Sequence, residues 1–317
     1  MVFGSGEYEY ELAEGWAKLP EGWSFFDICG LAIDSLDRLY VFNRSPHPLM
    51  IFDRNGAFAG NWGDGFFARP HGICIGPDKA VYCTDDGNHT VSKFTLQGDL
   101  FRTWGDKGKP SDTGYVQLPE LYASLATIKY GGPPFNRPTG IAFSSSREMY
   151  ITDGYGNARV HKFSPEGDLL FSWGEPGRDT GQFRLPHNIW VDMQDRVWVV
   201  DRENSRIQIF NARGKFLAQW TDVVRPNDIF IDNYQVVYIS ELGHADGVGP
   251  RVSLFTIDGS LLSRWGNEDK DPETDLFIAP HAIAVDSFGD IYVGEVAMTH
   301  AQLDRGSRVV QKFVRKR

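Results

Sequence analysis

Three proline–histidine pairs stand at the head of apolar, β-branched runs: "RPHGICI" (69–75), "LPHNIWV" (185–191) and "APHAIAV" (279–285). Imidazole is the commonest metal-ligating side chain, and an apolar strand has no packing need for it. If the three runs are equivalent strands of one repeated architecture, His71, His187 and His281 share one level and their rings can meet at a point. Three neutral imidazoles with a fourth position open make the ligand set of a catalytic Zn²⁺. Fe²⁺ or another first-row ion is the alternative, because ligand type alone does not select the metal. Such an ion polarises a bound oxygen or makes it more acidic.

A second set of polar residues recurs where later runs end, in "FNR" (42–44), "TDD" (84–86), "TDGY" (152–155), "VDR" (200–202), "SEL" (240–242) and "GEV" (294–296). Asp85, Asp153, Asp201, Glu241 and Glu295 share a register there. Carboxylates in such places bond the amides of nearby turns. Arg44 and Arg202 take the next position, and Tyr155 follows one residue later, behind Gly154. Two guanidinium groups beside a cation call for an anion between them, which points to a carboxylate-bearing small-molecule substrate or a phenolate. Pairing of each arginine with a neighbouring acidic residue is the alternative. A tyrosine close to a cation and a guanidinium can serve as a base.

These residues sit in a repeat. A proline leads an apolar strand, a polar turn follows, a second strand ends in an acid, a third ends in Phe, and G-x-x-x-x-x-W closes the unit. The copies span 28–63, 69–105, 137–174, 185–221 and 225–266, and a sixth starts at 279 without its closing tryptophan strand. Four short strands in about 40 residues make a propeller blade. The expectation is an all-β, six-bladed β-propeller forming one domain over 1–317. The strand-like segment "YEYELAEGWA" (8–17) is expected to close the last blade and remove a free edge. After the strand-leading residue the units read Gly30, His71, Thr139, His187, Asn227 and His281, so histidine falls in every second blade, a third of a turn apart.

Trp62, Trp104, Trp173, Trp220 and Trp265 share one blade position and suit packing between blades. The segment 106–136 exceeds a simple connection. It is expected to be an inserted loop over one face, with a helical turn at "LPELYASLA" and a part in substrate choice. The insertion 243–250 is a smaller case.

The chain has 317 residues and a net charge of −10, with no basic face for nucleic-acid phosphates. No apolar run reaches the ~20 residues that cross a bilayer, and the start lacks basic and apolar leader regions. A soluble, cytoplasmic protein without nucleic-acid or membrane partners is expected. Cys29, Cys74 and Cys83 have no C-x-x-C spacing and read as free thiols.

"DGYGNARVHKFSPEGDLLFSWGEPGRDTGQFRLPHNIWV" (153–191), then "VDRENSRIQIF" (200–210), resembles peptidyl-α-hydroxyglycine α-amidating lyase, a six-bladed propeller of the NHL-repeat type. The likeness runs over nearly the whole chain. It implies zinc on His71, His187 and His281, Tyr155 of the "DGY-x-N-x-R" motif as the catalytic tyrosine, and Arg44 and Arg202 as the active-site arginines. The implied reaction cleaves the C–N bond of an N-acyl-α-hydroxyglycine, giving an amide and glyoxylate, with zinc and tyrosine acting on the hydroxyl. Two positions depart from the family. Gly156 replaces a cysteine that forms a disulfide, and Ala282 replaces an aspartate that binds a structural Ca²⁺, so calcium is not expected here. The substrate need not be a peptide; another carbinolamide or carbinolamine fits the same residues. A metal-dependent lactone or ester hydrolase and a non-catalytic NHL interaction module are the competing readings. Lactonase propellers generally hold their metal with carboxylates and Asn, which counts against the first, and the acidic charge with inward histidines counts against the second.

Overall fold

The computed structural model describes residues 1–245, 247–267 and 276–317, so residue 246 of the 243–250 insertion lies outside it. Among the described residues the strands form six antiparallel sheets, the β-propeller with six blades that the repeats predict. Five sheets have four strands. The first is Ile28–Ile33, Leu39–Asn43, Leu49–Phe52 and Phe58–Trp62, and the second is Pro70–Ile75, Val81–Asp85, Thr90–Phe94 and Leu100–Trp104. The third to fifth sheets open with Pro138–Phe143, Pro186–Val191 and Pro226–Ile231. Contacts divide the chain into two compact units, one of Met1–Phe66 with Pro226–Arg317 and one of Phe67–Arg225.

Each blade is built from local signals. Asp34, Asp192, Asp232 and Asp286 each accept the amides two and four residues on, closing the turn between first and second strands. Burial falls along a blade: Val81–Asp85 is buried throughout, while Leu100–Trp104 is mostly exposed. That gradient explains why early strands read as continuous apolar runs and late ones alternate. Two of the blade tryptophans show the expected packing between blades: Trp173 of the third sheet meets Phe210 of the fourth with ring centres 5.8 Å apart, and Trp265 of the fifth meets Phe313 of the sixth at 5.7 Å, whereas Trp220 packs on Trp198 of its own sheet.

The sixth sheet closes with the N-terminus. Tyr8–Ala13 pairs with Val310–Arg315, as the 8–17 segment predicts. Val2–Ser5 adds a fifth strand outside it, which the repeat pattern gave no reason to expect. Trp16 lies beyond that strand and packs instead against Phe52 and Tyr292.

Strand register corrects one position of the sequence alignment. Pro70, Pro138, Pro186, Pro226 and Pro280 pair with Asp85, Asp153, Asp201, Glu241 and Glu295, and in the first sheet Ile28 pairs with Asn43. The residue equivalent to the histidines is therefore Cys29, not Gly30. The irregularity that follows the leading residue in all six sheets hides the offset when proline is missing.

Candidate metal and catalytic site

The leading-strand histidines are held from two directions. Asp85 accepts the amides of Ala68 and Arg69, Asp201 those of Arg184 and Leu185, and Glu295 those of Ile278 and Ala279. Each carboxylate thus pins the backbone just ahead of a histidine, which is the turn-binding role the register suggested. Burial pushes Asp201 and Glu295 above the usual carboxyl range, with the bonds they accept pulling the other way. The second constraint is on the rings. His71 Nδ1 bonds the Thr139 carbonyl at 2.8 Å, and His281 Nδ1 bonds the Cys29 carbonyl at 3.0 Å. Gly72 makes the first possible, because a Cβ there would overlap the Thr139 carbonyl oxygen. A carbonyl partner makes Nδ1 the donor and leaves Nε2 the basic nitrogen, the one a metal would take.

Within Phe67–Arg225 the geometry converges on one oxygen. The Tyr155 hydroxyl lies 3.2 Å from His187 Nε2, 3.4 Å from His71 Nε2 and 3.4 Å from Arg202 Nη1. Ring nitrogens of His71 and His187 that could take a metal lie within 4.8 Å of one another. Tyr155, His71, His187 and Arg202 are all buried. Two basic nitrogens aimed at one point suit a metal ion by the chemistry of the donor set.

Arginines ring the tyrosine more densely than expected. The guanidinium carbons of Arg69, Arg137 and Arg202 lie 5.5, 5.4 and 5.6 Å from the centre of the Tyr155 ring. The buried Asp86 binds Arg69 and faces Arg137 at 3.7 Å. Glu203 binds Arg202 Nε at 2.7 Å. Burial alone would raise the Glu203 carboxyl, but Arg202 and Arg225 outweigh it and hold it at about 2. Arg202 is likewise kept above its ordinary range: burial lowers it, and Tyr155 and Glu203 more than compensate. Three guanidinium groups against two carboxylates make this spot cationic in a chain of net charge −10. Arg69, Arg137, Asp86 and Glu203 are not singled out by the sequence patterns above. A signal for two of them is present, since Arg69 and Arg137 precede the leading prolines in "RPHG" and "RPTG".

In the other unit, Arg44 sits in the register of Arg202 but ion-pairs with Asp27 at 3.6 Å and donates to Thr299 Oγ1 at 3.3 Å. Ala282, where the resembling family has its calcium aspartate, places a methyl group in an apolar cluster with Ile28 and Leu31. Gly156 has its own steric reason, because a Cβ there would run into Asn136. Of the remaining histidines, His161 is fully buried between Ser172 and Asp153, and His89 Nδ1 accepts the Arg137 amide at 3.2 Å.

The inserted segment 106–136 contains one short helix, Leu121–Leu125, where a helical turn was expected. Its Leu125 and Ile128 pack in one buried cluster with Tyr155 and Leu185. Among the described residues no helix is long and apolar enough to cross a membrane.

Residues 67–94, 135–163 and 183–210 match the family described as NHL repeat. NHL repeat-containing protein 3 of Homo sapiens is 28% identical over 96% of this chain and 84% of its own length. Peptidyl-alpha-hydroxyglycine alpha-amidating lyase 1 of Drosophila melanogaster is 30% identical over 74% of this chain, which spans 44% of that protein. Among solved structures, a gluconolactonase from Xanthomonas campestris superposes with a TM-score of 0.60 at 12% identity, covering 99% of this chain and 97% of that one. That last likeness shows the fold alone. The chain thus carries NHL repeats in a six-bladed β-propeller fold and is distantly similar to amidating lyases.

Proposed function

We propose that this protein is a zinc-dependent lyase that cleaves the C–N bond of an α-hydroxylated N-acylglycine or a related carbinolamide bearing a carboxylate. The observation that carries the reading is the convergence of His71 Nε2, His187 Nε2 and Arg202 Nη1 on the Tyr155 hydroxyl. His281, at the same strand register and with the same carbonyl-fixed tautomer as His71, is the third ligand in this proposal. Similarity to the Drosophila lyase supports it.

Zinc held by these imidazoles would supply Lewis acidity toward the substrate hydroxyl oxygen. Tyr155 takes the hydroxyl proton, with Arg202 offsetting the charge that develops on its oxygen. As the carbonyl forms, the C–N electron pair stays on nitrogen, and Tyr155 returns the proton to it. The products are an amide and glyoxylate, with no other reactant consumed. Arg44 holds the substrate carboxylate, and the surplus of arginines around Tyr155 favours an anionic substrate over a neutral one.

Incubation with α-hydroxyhippurate, with glyoxylate assayed and metal content measured in wild type and His187→Ala, tests the proposal. Zinc near one equivalent and glyoxylate release in wild type, both lost in the variant, are expected. Metal without glyoxylate would leave a different substrate or hydrolase chemistry; no metal would favour a non-catalytic interaction module.

A further inference from the structure

Arg202 reaches Tyr155 with one arm and is held by Glu203 with the other. Glu203 also takes Arg225 in a fork, Nε to Oε2 at 3.1 Å and Nη2 to Oε1 at 3.1 Å. The Arg225 guanidinium carbon lies 5.9 Å from the ring centre of Tyr122, and that of Arg184 lies 5.1 Å from it. Tyr122 belongs to the helix of the 106–136 insertion. A continuous chain of charged and aromatic contacts therefore runs from the insertion through Arg225 and Glu203 to Arg202.

The backbone at Arg225 takes an unusual form, which Arg137 shares ahead of Pro138. Arg225 has φ of 45° directly before Pro226, in the left-handed region that disfavours a side chain. A residue before proline ordinarily adopts extended backbone, so the packing around Arg225 overrides two local preferences at once. The insertion also reaches the site directly, through Leu125 and Ile128 packed with Tyr155.

We infer that Glu203 is a positioning residue through which the inserted segment, by way of Tyr122 and Arg225, sets Arg202 against the Tyr155 hydroxyl. The inference rests on the lyase reading for what Arg202 does in the reaction, but not for the coupling itself. With the insertion seated, Arg225 and Arg202 share the Glu203 carboxylate and Arg202 is fixed on two atoms. With the insertion lifted, Arg225 loses its aromatic partner, Glu203 gains freedom, and Arg202 is no longer held at Tyr155.

The test compares Glu203→Gln with Tyr122→Leu, the second keeping apolar bulk in case the first fails to fold. Hydrogen exchange is followed in residues 115–128, with 149–153 of the third sheet as an internal control. The expected result in each variant is exchange at least fivefold faster in 115–128 and unchanged in 149–153. On α-hydroxyhippurate, kcat is expected to fall three- to tenfold with KM altered less than twofold. Combining Tyr122→Leu with Arg202→Lys should then cost no more than Arg202→Lys alone. Unchanged exchange in 115–128, faster exchange in both regions alike, or strictly additive losses in kcat would overturn the coupling. If wild type releases no glyoxylate, the lyase reading fails by itself, and the local exchange result in Glu203→Gln still decides the coupling.

Discussion

Arg44 and Arg202 occupy one register, each directly after the last residue of a second strand, yet their surroundings differ. Arg202 opens a short 3-10 turn and is buried between Glu203 and the Tyr155 hydroxyl. Arg44 pairs with Asp27, a fully buried carboxylate that also accepts the Met298 and Thr299 amides and the Thr299 hydroxyl. The lesson is that register delivers a guanidinium to a position, while the residue beside it sets its task. Beside Arg202 stands a tyrosine bonded to two imidazoles, so a change there is felt at the Tyr155 oxygen. Beside Arg44 stands a carboxylate that organises the short helix Ala297–Ala301, which suits a residue that binds rather than one that stabilises charge in motion.

The largest contrast should come from Tyr155 itself. Tyr155→Phe is expected to lower kcat by about a thousandfold, within the range of a lost acid–base group, while zinc content stays at the wild-type level. Retained turnover would move the chemistry away from Arg202.

Acid should weaken the Arg202 region selectively. The Glu203 carboxyl, ordinarily near 4.5, is held at about 2, so its stabilisation is complete above pH 4.5 and is lost as pH falls toward 2. The difference corresponds to about 3 kcal/mol. Urea unfolding at stepped pH should show a steeper loss across that window in wild type than in Glu203→Gln; equal slopes would remove Glu203 from the account.

The two arginines are separated by kinetics. Losing a hydrogen bond from a charged donor costs about 2 kcal/mol, so Arg202→Lys should reduce kcat roughly thirtyfold. Arg44→Lys should instead raise KM and leave kcat nearly unchanged, the pattern of a group that holds substrate and transition state alike. The reverse pattern would exchange their roles.

The smallest effect concerns Asp27. Asp27→Asn keeps the acceptor oxygen but removes the charge opposite Arg44, and a cost of about 1 kcal/mol in unfolding free energy is expected, with kcat little altered. A large kcat effect would show that Arg44 is positioned for chemistry and not only for binding.

Much of this architecture is legible in the amino-acid sequence. The repeat with its leading prolines marks strands and blade boundaries, because turn chemistry and two-residue alternation are written in adjacent residues. His71, His187 and His281 stand out because a polar ring in that setting is unexplained by packing. Arg69 and Arg137 share a position ahead of the leading prolines, but in sequence they look like ordinary strand-flanking charges. The Cys29 offset is hidden because the first blade lacks the proline that marks register.

Sequence alone determined the blades, their number, the N-terminal closure and the histidine level, since each follows from local patterning repeated along the chain. Only the tertiary structure decided which carbonyl orients His71 and His281, which carboxylate claims each arginine, and that the insertion packs on Tyr155. The physical reason is distance along the chain. His71 and Tyr155 are 84 residues apart, and Arg202 and Tyr155 are 47 apart. No local preference links such pairs; they meet only when the strands between them have twisted and packed.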